Sequence, residues 1–217
     1  MCHPPKECCN VEIAVLDYGN GNLGSLLAAL RRLGQDPHVI RTSRDICHVN
    51  ALIFPGVGSM KAVIDRLQAH GLLGWLNEMH AARTPILGIC LGLQLFFDES
   101  AEGGEGLHWL SGSVPKIDAP ILPHIGWNEV LTTPHSFLWR NLAKPYTFYF
   151  VHTYRIQPAD PEIIRGFTDY YEHLPAAVSA PALYGVQFHP ELSGKNGSRL
   201  LSNFLEMVED DGNLARG

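Results

Sequence analysis

Pro85-Ile86-Leu87-Gly88-Ile89-Cys90-Leu91-Gly92-Leu93-Gln94 is the stretch on which the reading of this chain turns. Residues 85–89 form a short apolar run, too brief for a helix, that reads as a buried strand. Residues 91–97 read as a helix. Between them stands a cysteine with glycines two places before and after it, G-x-C-x-G at a strand-to-helix junction. A sharp turn there holds the central side chain in a strained, exposed position, and Gly88 and Gly92 leave the space that the turn needs. The helix that follows aims its first N–H groups at the sulfur, which favours the thiolate. The N–H of Leu91 becomes a candidate oxyanion donor. The same cysteine could also be a small apolar residue closing a strand, as most buried cysteines are.

Outward from this elbow, short apolar runs alternate with helical patterns. Strands are predicted over residues 11–16, 38–40, 51–54 and 85–89. Helices are predicted over 22–33, where Leu23, Leu26, Leu27 and Leu30 share one face, over 59–70 with Ser59 as cap, and over 72–82. Alternation of this kind means a mostly parallel, doubly wound α/β sheet with helices on both faces. The second half differs. Residues 98–123 are rich in Gly, Ser and Pro and read as irregular loop. Strands follow over 148–152, 163–168, 176–179 and 183–188, partly antiparallel because few helices separate them, and a helix closes the chain over 197–208. One domain over 11–210 is expected, with an N-terminal extension (1–10) lacking fixed structure and a tail (211–217).

The whole-chain numbers exclude several classes. At 217 residues, 46% hydrophobic and 18% charged, the chain suits one globular core. Its formal net charge of −6 gives no reason to bind nucleic acid or anionic lipid. No apolar run approaches the roughly 20 residues of a membrane span, and the N-terminus shows no secretory pattern. Five cysteines, Cys2, Cys8, Cys9, Cys47 and Cys90, point to free thiols in a reducing compartment, the cytoplasm. Cys2, His3, Cys8 and Cys9 match no zinc spacing, so no metal is expected.

A base for Cys90 is found in Gly185-Val186-Gln187-Phe188-His189-Pro190-Glu191. On an extended chain, residues two apart face the same side, and Pro190 favours that form at His189. A carboxylate on one ring nitrogen fixes the tautomer and frees the other nitrogen to take the thiol proton. Cys90, His189 and Glu191 are then nucleophile, base and orienter.

Together, G-I-C-L-G-x-Q and G-V-Q-F-H-P-E resemble the class I glutamine amidotransferases, whose fold is flavodoxin-like. Asp17-Tyr18-Gly19-Asn20-Gly21-Asn22-Leu23, Phe54-Pro55-Gly56-Val57-Gly58, Pro123-His124-Ile125-Gly126-Trp127-Asn128 and Phe148-Tyr149-Phe150-Val151-His152-Thr153-Tyr154 are similar to the glutaminase subunit of imidazole glycerol phosphate synthase, in family order. The resemblance implies glutamine as substrate, no cofactor, and a (β/α)₈-barrel cyclase as heterodimer partner that takes the released ammonia for histidine biosynthesis. It implies a Cys90 thioester, an oxyanion role for the backbone of Gly56, Val57 and Gly58, and a substrate contact for Gln94. Asn20, Asn22, His124, Trp127, Asn128, His152 and Tyr154 are expected to position the site or meet the partner. His124 reads as part of a Pro-flanked loop.

Two departures touch the partner side. The family usually carries Lys directly after H-P-E, where Leu192 stands, and Lys before P-H-x-G-W-N, where Ile121 and Leu122 stand. A related amidotransferase serving another synthase is therefore an alternative. Another rival is Gly19-Asn20-Gly21-Asn22-Leu23-Gly24, literally G-x-G-x-x-G after a strand, with Arg41 placed to suit a 2′-phosphate, as in an NAD(P) oxidoreductase. That reading leaves Cys90 and H-P-E without a role.

Overall fold

The computed structural model describes residues 12–19, 23–133 and 136–214. In chain order its elements are β1 (Ile13–Leu16), α1 (Leu23–Arg32), β2 (His38–Ile40), β3 (Ala51–Gly56), α2 (Met60–Ala69), α3 (Leu73–Ala81), β4 (Ile86–Cys90) and α4 (Leu91–Gln94). The second half holds β5 (Glu99–Ser100), β6 (Gly112–Val114), β7 (His124–Glu129), β8 (Leu131–Thr132), β9 (Thr147–His152), β10 (Gln157–Pro158), β11 (Ile164–Tyr170), β12 (Glu172–Ala180), β13 (Leu183–Val186) and α5 (Gly194–Leu214).

One eight-stranded sheet organises the molecule, in the order β2-β1-β3-β4-β13-β12-β11-β8. The first five strands are parallel, and β12, β11 and β8 run antiparallel. Successive strand side chains point to opposite faces, so the continuous apolar runs feed two cores. Ile13 and Val15 join Leu26, Leu30, Phe188 and Phe204 on the α1 and α5 face. Ala14 and Leu16 join Val63, Leu67 and Leu76 on the α2 and α3 face. Ser59 is the N-cap of α2, accepting from Ala62 N at 3.4 Å. The doubly wound reading is borne out, antiparallel strands included.

Four local expectations are corrected. The helix after Cys90 has only four residues, because the next loop takes its later carbonyls: Leu107 N donates to Leu95 O at 2.7 Å and Trp109 N to Phe96 O at 2.9 Å. Residues 98–123 are not all irregular, since β5 and β6 form a three-stranded sheet with β10. His124 lies on a strand rather than in a loop. β7 pairs antiparallel with β9 in a separate two-stranded ribbon, His124 opposite His152 and Trp127 opposite Tyr149. Gly126 and Asn128 break the apolar alternation that would have revealed β7. Its inner positions are polar, while Ile125, Trp127 and Glu129 face solvent. α5 also begins three residues earlier and runs six residues further than the predicted 197–208.

Candidate active site

Parallel pairing sets Gly56 at the end of β3 beside Cys90 at the end of β4. The carboxyl ends of parallel strands are where open α/β sheets place their sites. Cys90 has φ 54° and ψ −110°, a left-handed conformation that few non-glycine residues adopt. The turn can close because Gly92 has no side chain: a Cβ there would collide with the Phe54 carbonyl oxygen. Cys90 is largely buried. From the ribbon, the end of β9 reaches over it, and Sγ donates to Val151 O at 3.9 Å.

His189 follows β13, the strand that pairs with β4 on its other side. Its Nδ1 donates to Glu191 Oε1 at 2.8 Å, and the two side chains are only 5% and 4% exposed. The pairing arises differently from the predicted extended chain. β13 ends at Val186, and Pro190–Leu192 is a 3₁₀ turn with His189 as its N-cap. The turn folds the carboxylate back under the imidazole. Ser193 braces it: its Oγ donates to His189 O and accepts from Tyr149 N at 2.9 Å, while His189 N donates to Tyr149 O at 2.9 Å. With Nδ1 committed as donor, Nε2 is the free ring nitrogen. It is buried and makes no hydrogen bond in this geometry, and such bonds tighten in the reacting complex. Burial alone would push the His189 pKa down. The Cys90 sulfur, and after it the Glu191 carboxylate, outweigh that and raise it to about 10. That surrounding favours the imidazolium form of His189.

A cleft of about 290 Å³ opens above the sulfur, lined in part by Val57, Gly58, Cys90, Leu91, Gln94 and Glu102. Its opposite wall is Val151, His152, Thr153 and Tyr154. Gln94 has its Nε2 committed, to Tyr154 O at 3.0 Å and Gln187 Oε1 at 3.1 Å. Gly58 carries φ 108°, which glycine alone adopts readily. The Val57 N–H is turned toward the Tyr18 hydroxyl. Tyr18, buried beneath the strand, donates its hydroxyl to Pro55 O at 3.1 Å. Burial raises the phenol pKa, and a hydrogen bond from the Val57 backbone to the same oxygen opposes that rise.

His124 and His152 are a buried pair joined Nδ1 to Nε2 at 3.0 Å. The His152 Nδ1 lies 2.9 Å from Tyr154 O, an acceptor, so Nδ1 carries the proton and Nε2 accepts from His124. The other His124 nitrogen faces Asn128 Nδ2 at 3.4 Å, and Asn128 also donates to Asp169 O at 2.9 Å. Burial lowers the His124 pKa to about 4. Burial, against the Tyr154 bond, lowers that of His152 to about 3. Both are neutral at pH 7. Neither has an acid as partner, unlike His189. Trp127 stands on the outer face, 58% exposed, edge-on to Tyr149. Asn20 and Asn22 lie outside the described residues.

The structure thus brings Cys90, His189 and Glu191 together and sets Gly58, Leu91, Gln94, His152 and Tyr154 around them. Sequence reasoning assigned no role to Tyr18 or Gln187, although both stand inside quoted motifs. Glu102 was lost in the stretch read as loop. Among the described residues no group of three or more His, Cys, Asp or Glu could hold a metal, and no helix is long and apolar enough to cross a membrane.

Residues 14–208 match the family described as glutamine amidotransferase class-I, and the chain belongs to it. The fold agrees. A putative GMP synthase component from Thermoplasma acidophilum superposes with a TM-score of 0.73 at 20% identity, covering 95% of this chain and 98% of that one. PurLQS from Thermotoga maritima does so with a TM-score of 0.74 at 16% identity, over 92% and 99%. Closer in sequence are imidazole glycerol phosphate synthase subunits HisH. That of Moorella thermoacetica is 42% identical over 93% of this chain and 97% of its own length. That of Cyanophora paradoxa is 41% identical over 93% and 96%. Within the amidotransferase class, the chain falls among these HisH subunits, and it is an enzyme of the glutamine amidotransferase kind. The dinucleotide reading of the Gly19–Gly24 stretch falls with this assignment.

Proposed function

We propose that the chain hydrolyses glutamine to glutamate and ammonia through Cys90, His189 and Glu191, and hands the ammonia to a (β/α)₈-barrel cyclase partner in histidine biosynthesis. The observation that carries the reading is the buried His189–Glu191 pair at 2.8 Å, its open Nε2 turned to a cysteine on a strained elbow. Glutamine binds in the cleft with its side-chain amide above Sγ. Glu102 is the acidic group there that suits its α-ammonium. Sγ attacks the amide carbon, and the S–C bond forms as charge moves to the oxygen. The Leu91 N–H stabilises that oxyanion, a term worth about 3–4 kcal/mol for a good donor. The C–N bond then breaks while His189 Nε2 gives its proton to the departing ammonia. Water attacks the thioester, His189 takes its proton, and glutamate leaves as the sulfur is released.

The second oxyanion donor is expected from the Gly56–Val57 peptide. Here its N–H is turned toward Tyr18, and a turn of the peptide would bring it to the oxyanion. Glycine on either side of Val57 makes such a turn inexpensive. A partner that binds the turned form better would shift the population toward it. Ile125 and Trp127, on the outer side of β7, are 57% and 58% exposed, apolar surface that suits a docking partner. Leu192 is half-buried and adds no charge to that side. An active thiol beside a further free cysteine, Cys47, fits a reducing compartment such as the cytoplasm.

The test is glutamate release from glutamine, with and without the cyclase and its ribonucleotide ligand. Strong activation by the pair is expected, with Cys90→Ala reducing turnover by at least about 10⁴-fold while the chain stays folded. Turnover that ignores the cyclase would point to a synthase other than the cyclase. Turnover that survives Cys90→Ala would remove the nucleophile.

A further inference from the structure

The Cys90 sulfur has another polar neighbour, on a residue that the reaction as described does not use. Gln187 is fully buried just past β13, two residues before His189. Its Nε2 lies 3.6 Å from Cys90 Sγ, and its Oε1 accepts from Gln94 Nε2 at 3.1 Å. The same Gln94 nitrogen donates to the Tyr154 carbonyl at 3.0 Å.

An amide side chain can be turned end for end, but a backbone carbonyl can only accept. Tyr154 O therefore fixes the Gln94 NH₂ group toward itself. The second N–H of that group meets Gln187, which must present its oxygen. The NH₂ of Gln187 is left facing the sulfur. Turning either amide would set two acceptors or two donors against each other in a buried place. The carbonyl that imposes this order is itself held, since it also accepts from His152 Nδ1 at 2.9 Å.

The two protonation states of the sulfur have different partners. As a thiol, Sγ donates to Val151 O at 3.9 Å. Once its proton has moved to His189 that donation ends, and the anion needs N–H groups, because a buried charge without them is costly. Gln187 Nε2 is already in place to supply one.

We propose that Gln187 is a positioning residue for the nucleophile: its N–H, with a polarity imposed by the Tyr154 carbonyl through Gln94, holds the Cys90 sulfur and favours the thiolate. The inference rests on the glutaminase reading of this site and adds a residue to it.

Gln187→Met, close in size but without an N–H, tests it on the full chain. The readout is the rate of alkylation by iodoacetamide at Cys90 across pH, followed on its own peptide by mass spectrometry, with glutamate release and thermal midpoint alongside. Losing a hydrogen bond to a charged acceptor should move the alkylation midpoint up by about one pH unit. The rate below it should then fall about tenfold, with kcat falling more than KM rises. A lower thermal midpoint with an unmoved alkylation profile is what a packing role gives, and it overturns the proposal. In the unmodified chain the Gln187 side-chain amide protons, read by NMR, should shift in step with the Cys90 midpoint. Amide protons indifferent to that titration overturn it as well. If Cys90 in the unmodified chain alkylates no faster than Cys47, the glutaminase reading fails first, which separates the two.

Discussion

At the scale of single residues, Glu191 carries two tasks that a neutral amide can only half perform. Its carboxylate fixes the His189 tautomer, and its charge helps to hold the imidazolium. Because the folded-state pKa of His189 is raised to about 10 from 6.5, its contribution to stability is fully present below about pH 6.5 and is lost as pH rises through about 10. Glu191→Gln keeps an acceptor but loses the charge. The gap in melting temperature between the unmodified chain and this variant should be widest near pH 6 and should close toward pH 10. A gap that widens as pH rises contradicts the imidazolium assignment.

At the scale of elements, the proposed oxyanion hole depends on the end of β3. The Pro55 carbonyl accepts from one phenol, that of Tyr18 on the loop after β1, and the Val57 N–H is turned toward the same oxygen. Tyr18→Phe keeps the ring that lies edge-on to Phe54, with centroids 6.2 Å apart, and removes only the hydroxyl. Freed of that bond, the Gly56–Val57 peptide should visit the turned form more often. Glutamate release without a partner should rise about fivefold, the worth of one hydrogen bond of ~1 kcal/mol. A fall in that rate would mean that Tyr18 supports the active arrangement rather than the resting one.

At the scale of the whole molecule, the β7–β9 ribbon joins the cleft to the surface. Its end supplies the Val151 carbonyl and His152 to the site, and its outer side presents Ile125 and Trp127. Large exposed aromatics in an apolar patch are the residues that dominate interface energies. Trp127→Glu should weaken association with the proposed cyclase partner by about 2 kcal/mol or more, roughly thirtyfold, with little change in melting temperature. Calorimetric titration of the partner measures it. Unchanged affinity would move the docking face away from the ribbon.

Much of this was legible in the sequence because it is local. Buried parallel strands are apolar on both faces, so residues 13–16, 51–56 and 86–90 declare themselves, and the Gly-spaced cysteine marks the elbow. His189 and Glu191 sit two residues apart, so their encounter needs only a turn, although a 3₁₀ turn rather than a strand supplies it. The rest was set by partners distant along the chain. β7 is a strand only because β9 pairs with it, against the local preferences of Gly126 and Asn128. Glu102 enters the cleft, Tyr18 reaches the β3 end 37 residues on, and Gln187 reaches a sulfur 97 residues away. The order of residues was enough for the sheet and for marking Cys90 and His189 as candidate nucleophile and base. Which N–H groups face the sulfur and which are held back was settled in three dimensions, because hydrogen-bond polarity depends on groups that meet only after the sheet has formed.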